Sequence, residues 1–244
     1  MRNTKSKNMK VEIWSDVMCP FCYIGKRRFE TALQKFGHKD EIEVEWKSFQ
    51  LDPSMQNDPG KNINQYLAER KGWTLEYAKQ INSQMTKMAA AEGLVYDFDK
   101  AVVANSFDAH RFSGYAKEHG LGNEAEERLF KAYFTEGKNI GERDTLAALG
   151  EDIGLDADEV GEVLASDRYA DKVLDDIHEA EAIGVRGVPF FVFNRQYAVS
   201  GAQPAEAFLN ALGKSFDEWQ KQHVVLQDAN ETEGEVCIPG GDCQ

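Results

Sequence analysis

Cys19 and Cys22 are the residues of this sequence best suited to chemistry, because only Pro20 and Phe21 separate them. A helical pattern begins directly after Cys19, and the N-terminus of a helix combines unsatisfied N–H groups with the positive end of the helix dipole. A thiol at this position is favoured as the thiolate, the reactive form. Cys22 lies one turn further along the helix. We therefore predict that Cys19 is the exposed nucleophile and Cys22 the buried partner that closes the disulfide.

A cysteine pair with this spacing has two other common uses. A structural zinc site needs four ligands, and the two remaining cysteines, Cys237 and Cys243, lie more than 200 residues further along the chain. Inert core cysteines are disfavoured because the N-terminus of a helix that follows a strand is usually accessible. Redox chemistry is the favoured interpretation, and it requires neither a metal nor an organic cofactor.

The residues around the pair predict a β-α-β unit. Residues 11–14 are short and rich in β-formers, and apolar or small residues then recur at helical spacing from Cys22 to Phe36. Residues 41–46 alternate strictly, with Ile42, Val44 and Trp46 on one face and glutamates on the other. This alternation indicates a half-buried strand.

The strand pattern disappears between Asn62 and Ile183, and successive helical stretches replace it. Glycines follow several of these stretches as C-terminal stops. The sequence therefore predicts an all-helical insertion. The predicted helices cover residues 63–70, 75–92, 104–118, 124–134, 145–153, 157–165 and 169–183.

The closing segment returns to a β pattern and predicts a β-β-α unit. Strands are expected at residues 190–193 and 196–200, with a turn between them and a helix around residues 205–212. Together the two units predict one α/β sheet with a helical lid. We divide the chain into a sheet domain of residues 10–60 and 184–225, a helical insertion of residues 61–183 and an acidic C-terminal tail of residues 226–244.

Composition and charge exclude several classes of protein. The 244 residues carry 28 Lys and Arg against 42 Asp and Glu, a net charge of −14. Such a chain is poorly suited to nucleic acid, which requires a positive surface. There is no run of 18 apolar residues and no pattern of a secretory signal. We expect no membrane partner and a cytoplasmic location.

Three segments resemble the DsbA-type thioredoxin-fold family, and specifically its FrnE-like branch. The first is WSDVMCPFCYIGK at residues 14–26, the second is ANSFDAHR at residues 104–111, and the third is GVRGVPFFVF at residues 184–193 with SGAQ at residues 200–203. They occur in the expected order and cover residues 10–215. The resemblance implies a DsbA-like thioredoxin fold with a large helical insertion.

The resemblance also implies a role for Val188 and Pro189. In this family the corresponding X–Pro peptide bond is cis and its loop faces the nucleophilic thiol. A substrate peptide would then pair with the loop in an extended form, and Val188 would form an apolar wall beside the sulfurs. The alternative is an ordinary proline at the entry to a strand.

The dipeptide between the cysteines differs from that of the family's periplasmic oxidant, which has Pro-His. Phe21 has no ring nitrogen to help stabilise a thiolate. We therefore expect a pair less oxidising than the strong oxidant, with a potential between about −270 mV and about −120 mV.

Several other residues allow two interpretations each. His110 and Arg111 could line the cleft over Cys19. In the favoured alternative, His110 lies on the helix surface or is packed, and Arg111 pairs with an acid. Asn105 is equally ambiguous. Phe130, Tyr133 and Phe134 have helical core spacing, whereas Phe21 is a candidate for contact with unfolded substrate.

Cys237 and Cys243 enclose a turn-forming sequence that would let their sulfurs meet in a small ring. Three interpretations stay open: a structural or regulatory disulfide, a second thiol pair that exchanges with Cys19 and Cys22, and two free thiols. A permanent disulfide would be unusual in a reducing cytosol.

The sequence therefore favours a thiol–disulfide oxidoreductase that exchanges or isomerises disulfides, with protein or small-molecule thiols and disulfides as partners. The direction of exchange and the oligomeric state stay open. A rival on the same fold is a glutathione-dependent isomerase or kappa-class transferase, which commonly has serine at the position of Cys19 and needs no second thiol. A binding or chaperone module is a third class.

Overall fold

The structure is a computed structural model that describes residues 8–223. Its central sheet has four strands: β1 (Met9–Ser15), β2 (Ile42–Ser48), β5 (Phe190–Phe193) and β6 (Tyr197–Ser200). Their order in the sheet is β2-β1-β5-β6. β1 and β2 are parallel, with Val11 opposite Val44. The other neighbours are antiparallel, with Val11 opposite Phe193 across β1 and β5.

Two helices complete the unit that carries the sheet. The first, α1 (Pro20–Lys35), begins at Cys19 with Pro20 in its first turn, where a missing N–H has no cost. The last, α9 (Ala205–Gln222), is ten residues longer than expected. It continues beyond Leu212 because Phe216 and Trp219 extend its buried face.

The predicted helical region contains seven α-helices and one π-helix among the described residues. The fifth α-helix runs directly into the π-helix at Ala132–Glu136, a form that often marks functional sites. The α-helices are α2 (Ile63–Lys71), α3 (Leu75–Ala91), α4 (Phe107–Glu118), α5 (Gly122–Lys131), α6 (Arg143–Asp152), α7 (Ala157–Ala165) and α8 (Ala170–Ala182).

The expectation that no strand occurs between Asn62 and Ile183 was wrong. A short strand, β4 (Val102–Val103), pairs antiparallel with β3 (Asp58–Asn62). The Asn62 side chain holds the turn by donating to the carbonyls of Phe98, Asp99 and Ala101. A two-residue strand is too short for the alternation that identifies strands in a sequence.

Two apolar cores lie on either side of the first helix. An aromatic core joins the sheet to α1 and α9 through Phe29, Phe191, Phe193 and Phe208. A larger core joins α1 to the helical region and includes both cysteines. Phe130, Tyr133 and Phe134 lie in this second core, as their spacing predicted.

The observed architecture confirms the predicted fold class, an α/β thioredoxin fold with β-α-β and β-β-α units and inserted helices. The domain boundaries given above stay a proposal. Among residues 8–223, no helix has both the length and the apolarity needed to cross a membrane.

Candidate active site

The loop between β1 and α1 places Cys19 at the start of the helix. The Cys19 N–H donates to the Asp16 carbonyl at 2.9 Å, and the Cys22 N–H donates to the Cys19 carbonyl at 3.0 Å. Cys19 itself has extended backbone angles and occupies the N-cap. Cys19 therefore occupies the end of the helix at which the first N–H groups have no intrahelical partners.

Cys19 is buried, which corrects the expectation of an exposed nucleophile. Its exposed fraction is 4%, against 1% for Cys22. Two contacts cover the start of α1. Val188 packs against the core that contains both cysteines, and the Tyr96 hydroxyl donates to the Pro20 carbonyl at 2.8 Å. Both cysteines are free thiols.

The Val188–Pro189 loop lies directly against the first sulfur. The peptide bond between these residues is cis, as the family resemblance implied. The Cys19 thiol donates to the Val188 carbonyl with 3.5 Å between Sγ and O. The Gly201 N–H donates to the Pro189 carbonyl at 2.8 Å and ties the loop to the segment after β6.

Gly25 lets the loop approach α1 this closely. A Cβ at this position would lie 2.9 Å from Pro189 Cγ and 3.5 Å from Phe191 Cζ. The first distance is shorter than a normal contact, and a proline ring has little freedom to move. The glycine of the CPFCYIG segment is therefore required by packing.

Phe21 is partly exposed, with 39% of its surface accessible. It follows Pro20 in the first turn of α1 and is one of the few large apolar side chains on the described surface. This placement agrees with the expectation of exposure, whereas contact with substrate stays a prediction.

Cys22 lies in a different environment from Cys19. Burial raises the pKa of the Cys22 thiol well above its ordinary value, and the neighbouring Cys19 raises it further. The Ser15 hydroxyl and the Asp16 backbone act in the opposite direction. The thiol form of Cys22 is therefore favoured, and any reaction at this sulfur must first remove its proton.

Three consecutive bases after the pair attach α1 to its neighbours. Lys26 is buried and bonds Glu127 of α5 at 2.8 Å, and Arg27 bonds the same carboxylate at 3.0 Å. Arg28 bonds Glu92 and the Ala202 carbonyl, both at 2.6 Å. Burial opposes ionisation of Glu127, but Arg27 and Lys26 outweigh it and lower the pKa of Glu127 to about 2.

Arg111 and Asn105 have structural roles. Arg111 donates to the Val163 carbonyl at 2.7 Å near the C-terminus of α7 and pairs with Asp108 at 2.7 Å. The Asn105 amide donates to the Met55 carbonyl at 2.7 Å. The ion pair with Asp108 agrees with the favoured interpretation for Arg111, that it pairs with an acid.

His110 is buried with only 2% exposure, and its Nε2 lies 3.7 Å from Asp16 Oδ1. Asp16 also accepts from the Leu51 N–H at 2.7 Å and the Met18 N–H at 3.2 Å, so it fixes the loop before Cys19. His110 therefore packs in the interior, one of the two placements that the favoured interpretation allowed, and it also faces an acid.

Sequence reasoning missed four polar residues near His110 and Cys22: Ser15, Asp16, Glu126 and Tyr133. Glu126 shares the buried face of α5 with Leu129 and Phe130, and a carboxylate on an apolar helix face is a usable signal. The other three carry no comparable signal, because only the fold brings them together.

The Cys237 and Cys243 pair lies outside the described residues. Within residues 8–223, no group of three or more His, Cys, Asp or Glu side chains is arranged to hold a metal ion.

Comparison with known proteins places the chain in a family. A model of the DSBA-like thioredoxin domain matches residues 10–213. The chain belongs to the DSBA-like thioredoxin domain family. Within this family, the FrnE-like branch stays a prediction.

Two known proteins are similar to this one over most of its length. A probable DsbA oxidoreductase from Streptomyces coelicolor is 39% identical, has a TM-score of 0.82, and is matched over 97% of this chain and 99% of its own. The uncharacterized protein YwbO of Bacillus subtilis is 31% identical over 221 residues, which are 87% of this chain and 98% of YwbO.

Proteins with a similar fold include an isomerase as well as the probable oxidoreductase from Streptomyces coelicolor. A solved 2-hydroxychromene-2-carboxylate isomerase is 16% identical, with a TM-score of 0.60 over 88% of this chain and 98% of its own. This likeness shows a shared fold. Because the fold carries more than one chemistry, the reaction must be argued from the site.

Proposed function

We propose that this protein is a thiol–disulfide oxidoreductase in which Cys19 is the nucleophile and Cys22 the resolving thiol. The observation that carries the proposal is the position of the Cys19 thiol at the N-terminus of α1, 3.5 Å from the Val188 carbonyl. A second free thiol lies one turn further along the same helix. The similarity to the probable DsbA oxidoreductase from Streptomyces coelicolor supports the oxidoreductase class.

In the reducing direction, the Cys19 thiolate attacks one sulfur of a substrate disulfide. A bond forms between Cys19 and that sulfur, and the other substrate sulfur leaves as a thiolate. Cys22 then loses its proton and attacks Cys19, which releases the second substrate thiolate and leaves a Cys19–Cys22 disulfide. The oxidising direction is the reverse of these steps. Two successive thiol–disulfide exchanges on one substrate give isomerisation.

The loop at Val188 and Pro189 is the proposed binding site for the substrate backbone. The Val188 carbonyl points at Cys19 and accepts its thiol proton. When Cys19 becomes bonded to substrate it no longer donates, so this carbonyl becomes free for an N–H of an extended peptide. Partners are therefore protein or small-molecule thiols and disulfides, and we propose that exchange occurs in the cytoplasm.

Turnover of a peptide disulfide by a Cys22→Ala variant tests this proposal. Cys237→Ser and Cys243→Ser are introduced throughout, so that the tail thiols do not react. We expect multiple turnover with dithiothreitol to fall by at least about 100-fold, since the mixed disulfide at Cys19 then lacks its internal resolving thiol. Full activity of Cys22→Ala with glutathione would instead favour the glutathione-dependent isomerase or transferase.

A further inference from the structure

Residues 92–98, which follow α3 and precede β4, reach the α1 helix at two points, and we call them the bridging segment. The Tyr96 hydroxyl donates to the Pro20 carbonyl at 2.8 Å, between the two cysteines. The Glu92 carboxylate pairs with Arg28, further along α1, at 2.6 Å. Disulfide exchange at the cysteines uses neither contact directly, so both require another explanation.

The Tyr96 contact acts on the first turn of α1. The Pro20 carbonyl and the Phe21 N–H belong to one peptide group, and this N–H has no intrahelical partner. A side chain at the N-cap, the position of Cys19, normally accepts from such an N–H. Because a hydrogen bond to the carbonyl polarises the whole peptide group, Tyr96 strengthens the Phe21 N–H as a donor to a thiolate at Cys19.

Tyr96 is held rigidly as a donor. Its side chain is buried, and its ring stacks on Phe134 and Tyr23, with 4.5 and 6.1 Å between ring centroids. Burial raises the pKa of Tyr96, and the charge of Cys19 raises it further. The hydroxyl therefore keeps its proton while the thiols react.

The π-helix fixes the backbone on either side of Tyr96. The Asp97 N–H donates to the Phe134 carbonyl at 2.7 Å, and the Thr135 hydroxyl donates to the Val95 carbonyl at 2.6 Å. The Phe134 carbonyl is available because carbonyls in the last turn of a helix lack intrahelical donors. The π-helix, a form frequent at functional sites, thus supports the segment that reaches the cysteine pair.

The Glu92 contact continues to the Val188–Pro189 loop. Arg28 pairs with Glu92 through Nε and donates to the Ala202 carbonyl through Nη1, both at 2.6 Å. The residue before Ala202 is Gly201, whose N–H donates to the Pro189 carbonyl at 2.8 Å. One guanidinium therefore joins the bridging segment to the residues that hold the loop.

We propose that Tyr96 and Glu92 are positioning residues for the exchange reaction. Tyr96 fixes the turn that carries Cys19, and Glu92 fixes the loop that carries the Val188 carbonyl. The bridging segment thereby sets both partners of the contact between the Cys19 thiol and this carbonyl. The proposal rests on the proposed function, in which Cys19 exchanges disulfides and the loop binds the substrate backbone. The two residues should therefore affect different measurements.

Equilibration with glutathione tests the role of Tyr96. The enzyme dithiol and oxidised glutathione give the enzyme disulfide and two molecules of reduced glutathione, and alkylation followed by mass spectrometry measures the two enzyme forms. The parent is the full chain with Cys237→Ser and Cys243→Ser. Tyr96→Phe keeps the ring and loses the hydroxyl. Tyr115→Phe is the matched control, because Tyr115 is equally buried and its hydroxyl donates to Glu159 at 2.6 Å instead.

In Tyr96→Phe we expect the equilibrium constant for forming the enzyme disulfide to rise by about two- to tenfold, the range of one hydrogen bond. The reason is that the reduced form loses stabilisation of its Cys19 thiolate, whereas the disulfide carries no charge. Tyr115→Phe should match the parent. A folded Tyr96→Phe variant with an unchanged or lower constant, or with the same change as Tyr115→Phe, would overturn the role of Tyr96.

Steady-state reduction of a peptide disulfide tests the role of Glu92 in the same background. In Glu92→Ala we expect KM to rise at least about threefold with kcat changed less than about twofold, because a loop that is no longer fixed must be ordered on binding. Asp152→Ala, which removes an ion pair with Arg128 at 2.8 Å between α6 and α5, should leave both constants unchanged. An unchanged KM in folded Glu92→Ala, or a loss confined to kcat, would overturn the role of Glu92.

A failure of the proposed function would give a different result. The parent itself would then form no disulfide between Cys19 and Cys22 with oxidised glutathione, and Cys22→Ala would retain full activity. A parent that forms this disulfide keeps the two questions separate.

Discussion

The two sides of the α1 N-terminus differ in chemistry although the two sulfurs are almost equally buried. On one side the Cys19 thiol meets the Val188 carbonyl and the apolar side chain of the same residue. On the other side the Cys22 thiol meets Ser15 and Asp16, and behind them His110. Exposure, at 4% and 1%, does not distinguish the two thiols.

This difference assigns roles where accessibility does not. The Cys19 sulfur lies against the Val188 backbone carbonyl and an apolar side chain. These surroundings suit it to form a mixed disulfide with a peptide. A sulfur whose surroundings raise its pKa, and which lies next to buried acids and a histidine, is suited to exchange protons. In the proposed function, one helical turn therefore separates the sulfur that bonds substrate from the sulfur that must first lose its proton.

We expect the largest effect when Cys19, the sulfur that bonds substrate, is removed. In Cys19→Ser we expect turnover of a peptide disulfide to fall to the uncatalysed rate, at least about 1000-fold, because a serine hydroxyl forms no mixed disulfide. The measurement is steady-state thiol release in the background without tail cysteines. Substantial turnover by this variant would move the nucleophile to another residue.

Gly25→Ala should slow the reaction of Cys19 through packing alone. The added Cβ would lie 2.9 Å from Pro189 Cγ, and such overpacking costs about 1–3 kcal/mol. We expect a lower free energy of unfolding in urea and slower attack by Cys19, because the loop must move. Gly161→Ala in α7, where a Cβ meets nothing within 4 Å, is the control and should gain about 0.5–1 kcal/mol. Equal behaviour of the two variants would refute the packing requirement.

Phe21→His should shift the balance between the two sulfurs without changing the fold. Phe21 is 39% exposed, so an imidazole fits there, and its ring N–H can stabilise the Cys19 thiolate. We expect the reduction potential to rise by about 30 mV, equivalent to about 1.4 kcal/mol, in glutathione redox titrations. A lower potential than the parent's would contradict this view of the dipeptide.

The smallest expected effect is on the free energy of unfolding, through the buried His110. Because the pKa of His110 is raised in the folded protein, its charge stabilises the fold below the unfolded-state pKa of about 6.5. This contribution is lost as pH rises through the folded-state value. The free energy of unfolding lost in His110→Gln should therefore be larger at pH 5.5 than at pH 9. A pH-independent loss in His110→Gln would argue against the raised pKa.

Most of the fold could be predicted from the sequence because its elements have long, regular patterns. The alternation around Val44 and Trp46 identified β2, and helical spacing identified α1 and the helices between the two β segments. Strand β4 was missed because Val102 and Val103 alone show no period. The end of α9 was missed because its buried face continues past Leu212 through Phe216.

The candidate site could be predicted only in part. The two cysteines were predicted from their spacing and the Val188–Pro189 segment from the family resemblance, since each is a continuous motif. The burial of Cys19 was not foreseen, since the residues that cover it belong to distant segments, such as Tyr96. The contact of Asp16 with His110 joins positions 94 residues apart, and no local pattern reports such a pair.

The central claim is that Cys19 exchanges with substrate and Cys22 resolves the product, and trapping the mixed disulfide tests it most directly. Cys22→Ser and Cys19→Ser, each without the tail cysteines, are incubated with a peptide disulfide, digested and analysed by mass spectrometry. We predict a stable one-to-one peptide adduct on Cys19 of the Cys22→Ser variant and little adduct on Cys22 of the Cys19→Ser variant. An adduct that forms preferentially on Cys22, or none on Cys19, would contradict the account.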